Sequence, residues 1–546
     1  MKKTSALALF VFLGFVVPAL PVRAATPAEN KAAARAALTE AQGLYTSNID
    51  GAVAVLRRAI ALDPDYGDAY GYLTLYSATA AARAAGASEE EQNAARKKAW
   101  AGTLALYEQW AREQPDRPAI QYALGTLFEY EDPDRAQRHF EAAVKLDPKF
   151  GDGYSMLALC AETRGNLTQS LEYRRLAVEA EPDNVKLWSS YVAAHREADI
   201  DKGLAIGLEM AKKFPDEAAV IIGYLARGER NAAKAQQIYG LLLEKFPNRK
   251  LLAGRGWIIG TSIFSNYLES DRGRALAFAQ EMAAFAPDNK LWPALVAYAQ
   301  ALIDSDVLMA AGKPAEALAG LGKITLPRNG ADPRWLHLAR AQATAANGQP
   351  EKAYADLLAL MIKTPTDEYQ AALTGYGAKL GRNATQVTAE LMAQRAAAAQ
   401  PGVPFSLVNY YTGKPVSLDD YKGRVVLVNF WYPMCGPCRA EFPFLQAVLE
   451  KYRTQGFEIL AINGHAPESH MVLPLLKGWK LDFLPLKGDD AVVKNYKVQG
   501  FPANFLCGPD GKIYYEAPPI STRSAQRELE LQIEALVAQA RLAPKS

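Results

Sequence analysis

A repeated pattern with a period of about 34 residues runs through residues 31–395, two-thirds of a 546-residue chain. Small and bulky apolar residues recur there at helical spacing, and prolines punctuate the units. Pro148 and Pro182, for example, are 34 residues apart. Proline cannot continue a helix interior, so each marks a helix end. The pattern predicts antiparallel helix pairs, each leaving an apolar face that only the next pair can cover.

The best-defined repeat units can be recognised by their residue order. One unit ends with Ala136, Phe140, Ala143 and Pro148. This spacing resembles the tetratricopeptide repeat, which implies an all-α solenoid of roughly eight or nine helix pairs. Such a solenoid is either a docking surface for a protein or peptide, or a spacer without a specific ligand, and we favour docking.

The N-terminal residues 1–24 have the pattern of a secretion signal. Lys2 and Lys3 precede an apolar run over residues 6–17, and small residues follow near Ala24. The run is short for a membrane-spanning helix, which needs about 20 residues, so an uncleaved anchor is the less favoured alternative. We expect a periplasmic or secreted protein. The net charge of +2 without a concentrated basic run gives no reason to expect a nucleic acid partner.

The composition changes after an Ala/Gln/Pro/Gly junction at residues 396–404, and residues 402–546 have the pattern of a second domain. A continuous apolar run over 425–431 predicts a buried central strand, and a helical pattern follows it directly. A second strand is predicted over 457–463, and a final helix over 524–541. Strands and helices in this order predict an α/β domain after the all-α region.

Two cysteines, Cys435 and Cys438, lie between the predicted central strand and its helix. From the residues alone they are a redox pair, an inert structural disulfide, or half of a metal site. A zinc site would need two further ligands, and the only local candidates are His465 and His470 in a polar loop. We therefore favour the redox pair and expect no metal or cofactor.

The segments VVLVNFWYPMCGPCRAEFP and VQGFPANFLCGPDGKIYYE carry a closer resemblance. Residues 402–541 resemble the TlpA/ResA-like branch of thioredoxin-fold proteins, which are exported disulfide reductases. The resemblance implies a thioredoxin-like α/β fold and clients that carry disulfides. Because extracytoplasmic compartments lack a reducing buffer, we also expect a membrane thiol donor. A peroxidase fits poorly, because Tyr432 stands where the peroxiredoxin motif has threonine.

The resemblance assigns the catalytic roles to the cysteine pair. Cys435 at a helix N-terminus would attack the client disulfide as a thiolate, and Cys438, one turn later, would resolve the mixed disulfide. The two would form the redox-active disulfide Cys435–Cys438. The alternatives are an oxidase or isomerase with the same site, or an adaptor whose redox domain is incidental.

The resemblance also implies supporting residues around this pair. Pro502 matches a cis-proline that shapes the substrate groove, and Phe501 would influence substrate choice. Glu441 would tune the cysteines and move a proton, although a solvated first-turn glutamate is the alternative. The predicted supporting residues are Trp431, Gly436, Pro437, Glu441, Phe501 and Pro502.

The two remaining cysteines have less specific interpretations. Cys160 lies in an apolar helical run, and Cys507 follows Pro502 in a predicted strand. We expect each to be a small buried core residue and not a reactive thiol.

Overall fold

The computed structural model describes residues 26–86, 88–129, 132–229, 231–327, 332–517 and 519–542. The predicted signal peptide at 1–24 lies outside these ranges. Within them, no helix has the length and apolar character needed to cross a membrane. The chain divides into two compact units, Met1–Leu127 and Phe128–Ser546, which are described separately.

The described part of the first unit, from residue 26 onward, consists of helices. They are α1 (Pro27–Leu44), α2 (Ile49–Leu62), α3 (Gly67–Ala84), α4 (Glu89–Glu113) and α5 (Pro118–Phe128), whose last residue belongs to the second unit. Thr26 caps α1 in a reciprocal pair of hydrogen bonds with Glu29. The buried Tyr107 hydroxyl donates to the carbonyl oxygen of Tyr70 over 2.9 Å, which ties α4 to α3.

In its described residues, the second unit begins with sixteen helices that we call the helical arm. These are α6 (Pro133–Leu146), α7 (Gly151–Thr163), α8 (Leu167–Ala180), α9 (Val185–Ala198), α10 (Ile200–Met210), α11 (Pro215–Gly228), α12 (Ala232–Lys245), α13 (Arg249–Ala253), α14 (Trp257–Ser270), α15 (Arg272–Phe285), α16 (Leu291–Ala310), α17 (Pro314–Gly322), α18 (Arg334–Ala346), α19 (Pro350–Lys363), α20 (Asp367–Lys379) and α21 (Ala384–Ala398).

Helices are more numerous than the sequence predicted. The described residues contain twenty-one helices before the first strand, about ten pairs where eight or nine were expected. Most arm helices have only nine to fifteen residues, so more of them fit into the same span. Several begin where Asn or Asp caps the first turn, such as Asp132 before α6 and Asn166 before α8.

The remainder of the second unit is an α/β domain, as predicted. Its elements are β1 (Ser406–Asn409), β2 (Pro415–Ser417), β3 (Val425–Trp431), α22 (Gly436–Tyr452), β4 (Phe457–Asn463), α23 (Val472–Gly478), β5 (Leu484–Lys487), α24 (Asp490–Asn495), β6 (Ala503–Cys507), β7 (Ile513–Ala517) and α25 (Arg523–Leu542). The sheet order is β2-β1-β5-β4-β3-β6-β7. Strand β3 is parallel to β4 and antiparallel to β6.

Strand β3 is central and buried along its whole length. Val425, Leu427 and Trp431 pack into the apolar cluster that contains α22 and α25. Val426 and Phe430 belong to a second cluster. This alternation follows from the two-residue period of a strand and explains why its sequence is apolar at every position except Asn429. The strand ends at Trp431, and the loop that follows it leads to Cys435.

The helical arm contacts the α/β domain near the start of α22. The indole Nε1 of Trp479 donates to the carbonyl oxygen of Glu162 over 3.4 Å, and Arg196 donates to the carbonyl oxygen of Ala440 over 3.4 Å. Gly165 and Gly478 meet backbone to backbone. A second set of contacts involves α25, where Arg523 and Arg527 pair with acidic residues of the arm.

The Gly165–Gly478 contact gives a testable prediction for this packing. A Cβ added at Gly478 would lie 1.9 Å from the Gly165 Cα, so Gly478→Ala must displace backbone. We expect a loss of about 1–3 kcal/mol of packing free energy. Hydrogen exchange should accelerate in the α7–α8 turn and in α23.

The matched control is Gly375→Ala, because a Cβ added there meets nothing within 4 Å. This control should exchange like the wild type in both segments. Unchanged protection in Gly478→Ala would contradict the arm–domain contact.

Candidate active site

The two predicted catalytic cysteines lie together at the start of α22. They are joined by a disulfide with a Cα–Cα distance of 5.2 Å. Cys435 is the N-cap residue, and its Sγ accepts a hydrogen bond from the backbone N–H of Cys438 over 3.2 Å. Both side chains are buried, whereas Gly436 and Pro437 between them are exposed. A sulfur in this position faces the free N–H groups of a helix start, which favour negative charge.

Pro437 occupies the first turn of α22. A helix start needs no hydrogen bond from that position, so the proline is tolerated and its ring fixes the local backbone. Pro443 lies further along the same helix, where it removes one interior donor.

Trp431 lies at the end of β3 in the same apolar cluster as both cysteines. Its side chain is fully buried, and its ring meets Phe442 edge-on with 5.1 Å between centroids. The tryptophan is therefore a core residue of the apolar cluster that also contains the cysteine pair.

Glu441 is buried, which corrects the alternative of a solvated first-turn glutamate. Its side chain is 2 % exposed. The Asn504 amide donates to Glu441 Oε2 over 3.2 Å, and the Asn429 amide donates to Asn504 Oδ1 over 2.8 Å. The backbone N–H of Ile520 donates to the second carboxylate oxygen. Burial raises the pKa of Glu441 to about 7, and these hydrogen bonds oppose the rise.

The Phe501–Pro502 peptide bond is cis, so the predicted isomer is present. The Phe501 ring is half-buried and meets the Tyr432 ring edge-on at 5.3 Å, which places it beside the loop that precedes Cys435. Gly464 allows this approach, because a Cβ there would lie 2.5 Å from the Phe501 ring.

Glu468, in the 3-10 helix Ala466–Met471, is a site residue that sequence reasoning missed. One of its oxygens accepts the backbone N–H of Met434 over 2.7 Å, and the other contacts His465 Nδ1 at 3.0 Å. The side chain is buried, and desolvation raises its pKa. Glu468 thus holds the residue before Cys435. Because Glu468 lies 34 residues from Met434 in the sequence, no local motif indicates their contact.

Arg439 places a positive charge beside the cysteine loop. Its Nη1 donates to the carbonyl oxygen of Pro433 over 3.2 Å. Its Nε lies 3.3 Å from Glu162 Oε1 of the helical arm. Glu162 also pairs with Arg174 on α8. The helical arm therefore contributes a carboxylate to the immediate surroundings of the active-site loop.

The other two cysteines differ in their surroundings. Cys507 is fully buried in β6, as predicted. Cys160 is only partly buried, which corrects its prediction as a core residue: it lines a cavity of about 250 Å³ together with Met434. Desolvation raises the pKa of each thiol to about 12, so both remain protonated at neutral pH. The described residues contain no cluster of three or more His, Cys, Asp or Glu side chains able to hold a metal ion.

Comparisons with known proteins agree with this geometry. Residues 399–516 match the AhpC/TSA family model. The thiol-disulfide oxidoreductase ResA of Bacillus thuringiensis is 32% identical over 127 residues, covering 23% of this chain and 72% of the relative. The chain belongs to the ResA family. Its C-terminal domain is a thiol-disulfide oxidoreductase, and the helices that precede it are consistent with tetratricopeptide-like repeats.

Two further similarities concern the ResA-like domain. The thiol-disulfide oxidoreductase ResA of Bacillus subtilis is 36% identical over 103 residues, which cover 18% of this chain and 56% of that protein. A solved structure of a thiol:disulfide interchange protein DsbE from Chlorobium tepidum has 28% identity. That match covers 26% of this chain and 96% of the other, with a TM-score of 0.23.

The raised pKa of Glu441 gives a pH prediction. Between its ordinary value of 4.5 and about 7, the unfolded chain releases a proton that the folded domain retains, so stability falls as pH rises. The variant Glu441→Gln lacks this titration. As the pH rises through that window, the unfolding free energy of Glu441→Gln should increase by about 3 kcal/mol relative to that of the wild type.

The measurement is hydrogen exchange of the β3 amides in both proteins across the pH range, corrected for the intrinsic exchange rate. The difference between the two profiles should be constant above about pH 8. Parallel profiles throughout would contradict a protonated buried Glu441.

Proposed function

We propose that this protein is an exported reductase of client-protein disulfides that uses Cys435 and Cys438 as its dithiol. One observation carries the proposal: Cys435 Sγ caps α22 and accepts the N–H of Cys438. The same N–H would stabilise a thiolate after reduction of the pair. Membership of the ResA family supports the reaction class.

The proposed reaction has two exchange steps. The Cys435 thiolate attacks one sulfur of the client disulfide, which breaks that bond and releases the other client sulfur as a thiolate. Cys438 then loses its proton and attacks Cys435 Sγ, so that the mixed disulfide breaks and the second client sulfur leaves. Two electrons pass to the client, and the Cys435–Cys438 disulfide forms.

Glu441 is the proposed proton acceptor for the second step. It lies one helical turn after Cys438, it is shielded from solvent, and its pKa is about 7. A carboxyl group with that pKa can take up and release a proton near neutral pH. The asparagines at 429 and 504 would hold the carboxyl group in place.

The groove beside the pair is the proposed client site. The backbone around Phe501 and Pro502 would pair with an extended client segment, and Phe501 would contact its side chains. Trp431, which is packed in the core, would support the loop that precedes Cys435. Gly436 and Pro437, which lie between the two buried cysteines, are both exposed and would be the first residues of this segment that a client meets.

The surroundings of the reaction are also part of the proposal. A signal peptide at 1–24 would export the chain to the periplasm or outside the cell. Oxidising compartments lack a reducing thiol buffer, so a membrane thiol donor would return two electrons to the disulfide. The repeat region at 31–395 would dock a protein or peptide partner, and the domain at 402–546 would perform the exchange.

A trapping experiment tests this function. Cys438→Ser leaves the attacking sulfur but removes the resolving one, so mixed disulfides with clients should accumulate in the extracytoplasmic fraction. Non-reducing gels with mass spectrometry identify them. Cys435→Ser should trap none and should lose insulin reduction by at least about a hundredfold.

Cys507→Ser is the matched control, because that thiol is buried and protonated. It should retain wild-type insulin reduction. Insulin reduction by Cys435→Ser at the wild-type rate would overturn the proposal, as would the absence of any trapped client in Cys438→Ser.

A further inference from the structure

One peptide group in the loop before Cys435 is held from both sides by charged side chains. Arg439 Nη1 donates to the carbonyl oxygen of Pro433 over 3.2 Å, and Glu468 Oε2 accepts the N–H of Met434 over 2.7 Å. The oxygen and the N–H belong to the same planar peptide bond. Hydrogen bonds to charged groups are stronger than those between neutral groups, so this peptide has a fixed orientation.

The orientation of this peptide bears on the position of Cys435. The backbone N–H of Cys435 donates to the carbonyl oxygen of Tyr432 over 3.0 Å, and its own backbone is extended, as an N-cap requires. In that conformation its Sγ reaches the N–H of Cys438. A rotation of the Pro433–Met434 peptide would move Cys435 relative to the helix start. Whatever holds this peptide therefore also supports the contact that would stabilise the thiolate.

The helical arm holds one of the two charged groups in place. Arg439 Nε lies 3.3 Å from Oε1 of Glu162, which belongs to α7. The other carboxylate oxygen of Glu162 pairs with Arg174 on α8, and Arg174 also donates to the hydroxyl oxygen of Ser190 on α9. Three neighbouring arm helices therefore fix the carboxylate that contacts Arg439.

The pair of Glu162 and Arg439 is largely shielded from water. The two side chains are 14% and 12% exposed, so their attraction is less screened than that of a surface ion pair. Without Glu162, the guanidinium of Arg439 would carry an uncompensated charge in these surroundings, and it would turn towards water. Burial raises the pKa of Glu468, and the positive charge of Arg439 is one of the effects that oppose this rise. The two groups that hold the peptide thus also interact with each other.

We infer that Glu162 of the helical arm is a positioning residue for the proposed disulfide exchange. It holds Arg439, which fixes the Pro433–Met434 peptide and thereby keeps the sulfur of Cys435 at the helix start. The inference rests on the proposed reductase function. It gives the helical arm a part in the reactivity of the attacking cysteine, in addition to the proposed docking of a partner.

The test compares Glu162→Gln with the wild type as reduced full-length proteins. Iodoacetamide alkylation of Cys435 is followed across the pH range, and mass spectrometry assigns the modified sulfur. The midpoint of the profile should rise by about half a pH unit, and alkylation at about pH 6 should slow about threefold, because less thiolate is present. A carboxylate that acted only through its negative charge would give the opposite sign, since its removal would lower the pKa of Cys435 and speed alkylation.

A double-mutant cycle tests whether Glu162 acts through Arg439. Arg439→Gln breaks the same pair from the domain side, so the test does not depend on the folding of one variant. It should slow alkylation at least as much as Glu162→Gln does, and combining the two substitutions should add nothing further. The matched control is Glu217→Gln, which breaks an ion pair with Arg255 inside the arm and should keep the wild-type profile.

The outcomes separate the two proposals. If Glu162→Gln is alkylated at the wild-type rate or faster, the inference is wrong and the reductase function stands. Additive effects of the two substitutions would also overturn the inference, because Glu162 would then act by a route other than Arg439. If Glu217→Gln shifts the profile as much as Glu162→Gln does, the effect comes from net charge and the inference is again wrong. If Cys435 of the wild type reacts no faster than glutathione, both proposals are overturned.

Discussion

One hydrogen bond organises the cysteine pair on which the proposed chemistry depends: the backbone N–H of Cys438 donates to Cys435 Sγ over 3.2 Å. It exists because a short loop joins β3, which ends at Trp431, to α22, which begins at Gly436, so that the first cysteine becomes the helix cap. The donor belongs to a helix start and would otherwise lack a partner. The rest of the domain keeps this junction in place, with Trp431 and Phe442 packed beneath it and Pro437 fixing the first turn.

Two buried carboxylates lie around the junction and have different roles. Glu441 ends a chain of side-chain amides that begins at Asn429 in the central strand, and its pKa of about 7 suits proton transfer. Glu468 holds the N–H of Met434 and so fixes the loop before the first cysteine. The helical arm adds a third carboxylate through Glu162 and Arg439. The surroundings of the pair therefore come from both parts of the second unit.

The sequence predicts those parts of the structure that leave a local pattern. Strands β3 and β4 match their apolar runs because both are buried along nearly their whole length. Strand β5 and helix α24 were not predicted, since four and six residues are too short for a periodic pattern. Glu468, Asn504 and the Glu162–Arg439 pair were also missed. Each contacts a residue that is distant in the sequence. The residues around a single charged or amide side chain do not indicate which distant residue it will contact.

The account depends on a stabilised thiolate at Cys435, and alkylation of the reduced protein tests it most directly. At about pH 6, iodoacetamide should modify Cys435 at least about tenfold faster than glutathione, because an ordinary thiol is almost fully protonated there. Cys160 and Cys507 should remain unmodified, since burial raises the pKa of each to about 12. Alkylation of Cys435 no faster than that of glutathione would contradict the account.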